Sequence, residues 1–225
     1  MKYRKISDLL IHPPRIVKRL LDTFTWRINT DSKELYLTFD DGPIPEITPQ
    51  LLHLLHAYDA KATFFCVGDN VRKYPELYQA ILDQGHTVGN HCFSHLNSFK
   101  TDADVYIADV EKAAQYIDSK LFRPPYGKLK PVVQSKLAQN FDLVLWDVLT
   151  YDFDKRISPE KCFGNVKQFA RRGSIIVFHE NLKAKDNMFY ALTQTLMYFS
   201  EQLYTFKALP PTLSANEKRE NVGMR

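Results

Sequence analysis

Short apolar runs of strand length alternate with longer stretches of helical periodicity from residue 34 to residue 207. Runs bounded by Gly, Pro, Asn or Asp predict strands, and apolar positions three and four apart predict helices. Strands are expected at 34–39, 62–67, 86–90, 121–123, 141–146, 174–178 and 204–207. Helices are expected at 47–58, 69–84, 103–119, 131–139, 158–172 and 188–202, with Asp69 and Ser158 as caps and Gly85 as a stop. Pro131 and Pro159 fall where a first helical turn tolerates proline. Strands separated by helices need crossover connections, so the sheet is parallel and the fold class is α/β. Pattern alone leaves an open doubly wound sheet and a closed barrel equally allowed.

Composition narrows the function classes. Hydrophobic residues are 44% and charged residues 25% of the 225, which describes a globular chain and not a disordered one. No repeat, low-complexity tract or linker divides it. A net charge of +4 without a dense Lys/Arg stripe argues against nucleic acid as a partner. Cys66, Cys92 and Cys162 are odd in number and far apart, so neither a disulfide framework nor a Cys-x-x-Cys metal site is expected. Cys66, inside an apolar run, reads as a small buried hydrophobe. No run is long enough for a transmembrane segment. Lys2, Arg4 and Lys5 precede the apolar Leu9, Leu10 and Ile11, but Pro13 and Pro14 end that stretch too early for an export signal. A cytoplasmic or membrane-peripheral location is therefore expected over secretion. Residues 14–21 set Arg15, Lys18 and Arg19 against Ile16, Val17, Leu20 and Leu21. That segment reads as a helix packed on its own domain, or as a peripheral membrane contact.

The polar residues of interest fall at the carboxyl ends of predicted strands: Asp40 and Asp41, His91, Asp147 and Asp152, and His179 just after them, and Arg123 as the last residue of one. Parallel α/β folds build their sites at that end. His91 and His95 are four apart, which on a helical turn puts both imidazoles on one face. His53 and His56, in a Leu-rich helix, read as surface or boundary residues. Two imidazoles and a carboxylate make a three-ligand site with one position open to water. Such a site acidifies water and polarises a carbonyl. Asp40 and Asp41 end a strand before Gly42-Pro43, so a turn can swing both inward. One could then bind metal while the other takes a proton. Without the histidines, an acidic turn is the simpler reading.

Five segments now resemble, in order, the five motifs of the polysaccharide deacetylases, carbohydrate esterase family 4, also called the NodB homology domain. They are Thr38-Phe39-Asp40-Asp41-Gly42-Pro43, His91-Cys92-Phe93-Ser94-His95, Arg123-Pro124-Pro125-Tyr126, Trp146 through Phe153, and Ile176-Val177-Phe178-His179. The resemblance covers residues 33–209, and leaves 1–32 as a basic and apolar extension packed on the domain and 210–225 as a polar tail. It implies a single-domain distorted (β/α)7 barrel. It implies that Asp41, His91 and His95 hold a divalent metal, usually Zn2+, with Co2+ or Ni2+ possible. It gives Asp40 as general base and His179 as general acid, because an amide nitrogen leaves only when protonated. Arg123 would pair with the base, and Asp152 would tune the acid. Tyr126, the first N–H after two prolines, would donate to the developing oxyanion.

The fourth motif departs from the common Asp-Ser-x-Asp-Trp: Leu149 replaces the first Asp and Phe153 the Trp. In the fifth, Val177 stands for the usual Leu. Phe153 and Val177 could still line an acetyl-methyl pocket, and Trp146 could line the site or pack in the core. The implied substrate is an acetylated carbohydrate, N-acetylated and GlcNAc-containing, of chitin-oligosaccharide or peptidoglycan type. The alternatives are an O-acetyl esterase on a polysaccharide such as acetylxylan, a metal-retaining glycan-binding module, and a 2-His-1-carboxylate iron oxygenase. The last usually spaces its first His and carboxylate two apart, unlike Asp41 and His91.

Overall fold

The computed structural model describes residues 11–213. Lys2, Arg4, Lys5, Leu9 and Leu10 of the extension, and the expected tail from 214 onward, lie outside the described residues. Among the described residues eight strands form: β1 (Glu34–Asp40), β2 (Ala62–Cys66), β3 (Thr87–Asn90), β4 (Leu121–Phe122), β5 (Asp142–Leu143), β6 (Val148–Leu149), β7 (Ile175–His179) and β8 (Thr205–Phe206). The helices are α1 (Arg15–Leu20), α2 (Thr48–Ala57), α3 (Gly68–Lys73), α4 (Pro75–Asp83), α5 (Ala103–Ala114), α6 (Pro131–Leu137), α7 (Pro159–Phe169) and α8 (Lys185–Glu201). The strand order is β5-β4-β3-β2-β1-β7-β6, with every pairing parallel, and β8 joins the first residues of β1. β5 and β6, the two ends of that path, do not pair with each other, so the curled sheet is a barrel with one open seam. This is the distorted (β/α)7 architecture, with β8 added at the base.

Strand alternation sorts the residues into two layers. In β1, Leu35, Leu37 and Phe39 face outward and join Phe64, Ile176 and Phe178 beneath Leu51, Leu55, Leu192 and Leu196 of α2 and α8. Burying each such side chain contributes about 1.5–3 kcal/mol. The intervening Tyr36, Thr38 and Asp40 face the barrel interior. Tyr36 packs low in it with Phe65, Leu121 and Ile175. Gly89 is needed opposite Phe65, since a Cβ there would lie 2.5 Å from the phenyl ring.

The base of the barrel is closed by segments distant in sequence. Thr25 pairs with Val144 beyond β5, and Arg27 with Ser174 below β7. Lys18, 4% exposed, reaches the fully buried Asp147 and forms an ion pair with it. Ser174 Oγ donates to the same carboxylate at 2.6 Å, and His12 Nδ1 donates to the Asp147 carbonyl at 2.8 Å. Burial opposes ionisation of Asp147, but His12, Lys18 and Arg171 outweigh it and hold the carboxyl well below its usual range. Leu209 and Leu213 fill the interior from below, and Leu213 N–H donates to Asp142 Oδ2 at 2.8 Å.

Several expectations are corrected here. The strand expected at 141–146 is reduced to the two-residue β5, with Thr25 bonded to Leu143 and Leu145 along its free edge, and a strand that was not expected, β6, follows at Val148–Leu149. Asp147 therefore lies at the base and not at the mouth: its N–H donates to Ile175 O, at the start of β7. The helix expected over 69–84 breaks into α3 and α4 at Tyr74, since Pro75 lacks an N–H and forces the preceding residue out of the helical region. Asp69 is no cap. It sits in the first turn of α3 and pairs with Arg72 and Lys73. The helix expected over 103–119 ends at Ala114. Ser158 does cap α7, its side chain accepting from Lys161 N–H.

Candidate active site

The carboxyl ends of β1, β3, β4 and β7 and the loop after β6 converge at the open mouth. Asp40 pairs in register with His179 of β7, so both side chains stand on the interior face of neighbouring strands. The next residue, Asp41, has φ 82°, a left-handed conformation that turns its carboxylate over the same mouth. Two asparagines brace it. Asn70 Nδ2 donates to the Asp41 carbonyl at 2.8 Å, and Asn181 Nδ2 donates to Asp41 Oδ2 at 2.6 Å.

His91 and His95 meet Asp41, although not by the expected route. Residues 91–95 form no helical turn. Cys92 (φ 64°) and His95 (φ 52°) are left-handed, and the loop between them is tied down by distant side chains. Asn90 Oδ1 accepts from Cys92 N–H at 2.9 Å, and Asp109 Oδ2 accepts from Phe93 and Ser94 N–H at 2.9 and 3.0 Å. His91 Nδ1 donates to the Arg123 carbonyl at 2.7 Å, which fixes the tautomer and leaves the Nε2 lone pair free. Burial pushes its pKa down to about 4, against the raising influence of Asp40 and Asp41. His91 Nε2 and His95 Nε2 lie 3.6 and 3.1 Å from Asp41 Oδ1.

These residues fit a divalent metal. The three ligand atoms lie within 4.8 Å of one another. Asp41 Oδ1 is buried with no hydrogen-bond partner although two imidazoles face it, which is how an oxygen reserved for a cation presents itself. Burial raises the carboxyl pKa, but His95, His179 and His91 more than offset this and keep it well below the usual range. Two imidazoles and one carboxylate, with no thiolate, suit zinc and its neighbours in the first transition row. Asp41, His91 and His95 are thus a possible metal triad.

An ion pair stands on either side. Arg123, fully buried, donates from Nη1 to Asp40 Oδ1 and Thr38 Oγ1, both at 2.7 Å, and from Nη2 to Leu145 O at 3.0 Å. Its guanidinium lies 4.0 Å from the Phe65 ring centroid, so the interior aromatic supports the cation from below. Across the mouth, His179 Nδ1 donates to Asp152 Oδ1 at 2.8 Å, and the His179 N–H donates to Asp152 Oδ2 at 2.8 Å. Burial disfavours the charged imidazole. Asp152, with help from Asp41 and Asp40, overrides this and raises the pKa to about 9.

The expected lining residues separate. Tyr126 is 58% exposed, with φ 63°, and its ring meets His95 edge-on at 5.0 Å. Phe153 packs edge-on to His179 at 4.8 Å and stacks beside Tyr151. Trp146 packs beneath the Tyr126 turn: a Cβ on Gly127 would come within 2.3 Å of its ring. Val177 is fully buried two residues below His179 and reaches no open surface. His53 and His56 are exposed on α2, away from this cluster. Sequence reasoning missed Asn70, Asn181, Asp109 and the buried Glu180. Glu180 follows His179 directly, and its carboxyl, bonded to Thr48 Oγ1, is pushed up to about 8 by burial. Position beside a recognised motif was the one available signal, and only for Glu180 and Asn181.

The polysaccharide deacetylase family profile matches residues 27–143. A peptidoglycan-N-acetylglucosamine deacetylase of Bacillus cereus is 38% identical over 65% of this chain and 55% of its own length. A second protein of that name and species is 31% identical over 81% of this chain and 89% of its own. A solved peptidoglycan N-acetylglucosamine deacetylase, in complex with a naphthalenyl N-oxidanyl-benzamide, superposes with a TM-score of 0.81 at 29% identity, over 92% of this chain and 100% of that one.

Proposed function

The chain belongs to the polysaccharide deacetylase family, and we propose that it is a metal-dependent hydrolase that removes N-acetyl groups from a GlcNAc-containing glycan of peptidoglycan type. The observation that carries this is the convergence of one unpartnered carboxylate oxygen and two imidazoles between an Asp40–Arg123 pair and a His179–Asp152 pair. The names of the relatives favour peptidoglycan GlcNAc as the substrate class. An N-oxidanyl-benzamide is a hydroxamic acid, a metal-chelating group, and its presence on a related protein supports the metal reading.

Asp41, His91 and His95 would hold the ion, most simply Zn2+, which supplies a polarised acetyl carbonyl and a more acidic water. The protein's own groups do the rest. Asp40, oriented by the Arg123 guanidinium, takes a proton from the attacking water. His179, charged at neutral pH through Asp152, gives its proton to the departing amine nitrogen. The Tyr126 N–H, on its rigid left-handed turn, donates to the carbonyl oxygen as charge builds there. Phe153, against His179, offers the acetyl methyl an apolar wall. Val177 is too deep to contribute directly.

The test is acetate release from peptidoglycan, chito-oligomers and acetylxylan, with chelator and with added Zn2+. Release from the amide substrates, lost with chelator and restored by zinc, is expected. Release from acetylxylan alone would make the protein an O-acetyl esterase. Because an alkoxide leaves more easily than an amine, an enzyme that cleaves both should lose far less of its ester than of its amide activity in His179→Ala. Peripheral membrane contact is part of the same proposal: α1 exposes Ile16 and Leu20 beside Arg15 and Arg19. Co-sedimentation with anionic vesicles, lost in an Ile16→Ser/Leu20→Ser variant, would support it.

A further inference from the structure

Asn181 lies two residues past His179, where the chain leaves β7 for α8. Its side-chain oxygen accepts from the Ala184 N–H at 2.9 Å, at the turn that starts α8. A backbone N–H can only donate, so the amide is oriented unambiguously, and its NH2 end faces Asp41. That end donates to Asp41 Oδ2 at 2.6 Å. The other oxygen of the same carboxylate, Oδ1, has no hydrogen-bond partner and faces both imidazoles. One oxygen is therefore occupied by the protein and the other is left for an ion.

We propose that Asn181 is a positioning residue that clamps Asp41 so that it grips the metal through Oδ1 alone, and that this clamp sets the affinity of the site for divalent ions. The inference rests on the metal reading above. A carboxylate can bind an ion through one oxygen or both, and it rotates freely when nothing holds it. The Asn181 bond removes that rotation and makes a two-oxygen grip cost a hydrogen bond. Asn70 fixes the Asp41 backbone in the same way, through the carbonyl. Because Asn181 is itself anchored to the first turn of a 17-residue helix, the clamp is mounted on a rigid element.

The test separates the clamp from the helix start. Asn181→Ser keeps an acceptor for the Ala184 N–H but is too short to reach Asp41, whereas Asn181→Ala removes both contacts. Zn2+ affinity is measured by competition with a chromophoric chelator, and the melting temperature is measured on metal-free protein. Loss of a hydrogen-bond partner to a metal ligand typically weakens binding roughly 10–100-fold. That loss is expected in both variants, with the metal-free melting temperature of Asn181→Ser matching the wild type. Wild-type Zn2+ affinity in Asn181→Ser overturns the proposal. So does a loss of affinity that only accompanies an equal fall in metal-free stability. If the wild type itself binds no Zn2+, the metal reading fails and the clamp with it, an outcome distinct from a tight-binding variant beside a tight-binding wild type.

Discussion

His91, buried, and His179, half-buried, share one barrel mouth, yet their surroundings drive them in opposite directions. Burial lowers both. For His91 it prevails, giving about 4, and the ring is neutral with a lone pair to offer. For His179, Asp152 reverses it, giving about 9. The charged imidazole that the proposed acid needs and the neutral one that the proposed ligand needs are thereby set by one carboxylate more or less. Because the folded value of His179 exceeds its ordinary 6.5, its stabilising effect is complete below 6.5 and fades as pH rises through about 9. The rate should fall over the same alkaline range, somewhat earlier when a nearby dication repels the proton. In Asp152→Asn the largest raising influence disappears while burial remains. The alkaline limb of the kcat–pH profile should move down by more than one pH unit, and an unmoved limb would refute the assignment of His179 as acid. Asp40→Asn keeps an oxygen for Arg123 but removes the base. It should cost about 10²–10⁴ in kcat per folded molecule, and because it leaves the buried Arg123 cation without its counter-charge it should also lower the melting temperature.

Among the elements, the Tyr126 turn shows how local geometry is forced by what lies beneath it. Gly127 has φ +64°, and a Cβ there would strike the Trp146 ring. Gly127→Ala must therefore either displace Trp146 or lift the turn that carries Tyr126. A stability loss of about 1–3 kcal/mol is expected in chemical denaturation, together with a fall in kcat larger than any change in KM. Trp146 thus acts on the site from below, which joins the two roles that sequence left open for it. The strands β1, β2 and β7 were legible to within a residue or two, because short, largely apolar runs bounded by turn residues mark strands of a parallel sheet covered on both faces. The seam was not. The apolar run at 141–146 looks like any buried strand, and the segment that pairs along its free edge is Thr25, more than a hundred residues away. The cluster of Asp41, His91 and His95 was legible as residue types, but its geometry was not. Nothing in His91-Cys92-Phe93-Ser94-His95 announces two left-handed residues, since Asn90 and the remote Asp109 impose them. Asn70 and Asn181 escaped for the same reason: they act through partners far off in the chain.

Taken as a whole, the barrel keeps its chemistry at one end and its closure at the other. The mouth holds the unpartnered oxygen of Asp41, the strained turns and the exposed Tyr126. The base holds a charge-paired polar cluster around Asp147, packed under by residues 11–28 and by Leu209 and Leu213. That division predicts that damage to the base costs stability without touching chemistry. Lys18→Met leaves the Asp147 carboxylate buried and short of its closest cation, a change worth about 3–5 kcal/mol for a buried pair. For a chain of this size that corresponds to a drop in melting temperature of roughly 6–20 °C. Ser174, His12 and Arg171 remain around the carboxylate, so the lower half of that range is the firmer expectation. Below the new melting temperature, kcat per folded molecule and Zn2+ affinity should equal those of the wild type. Adding Leu at position 147 to the Lys18→Met variant should restore part of the loss, because an apolar pair buries no charge. A Lys18→Met protein that folds normally but has lost zinc binding would show instead that base and mouth are coupled through the strands, and that the division drawn here is wrong.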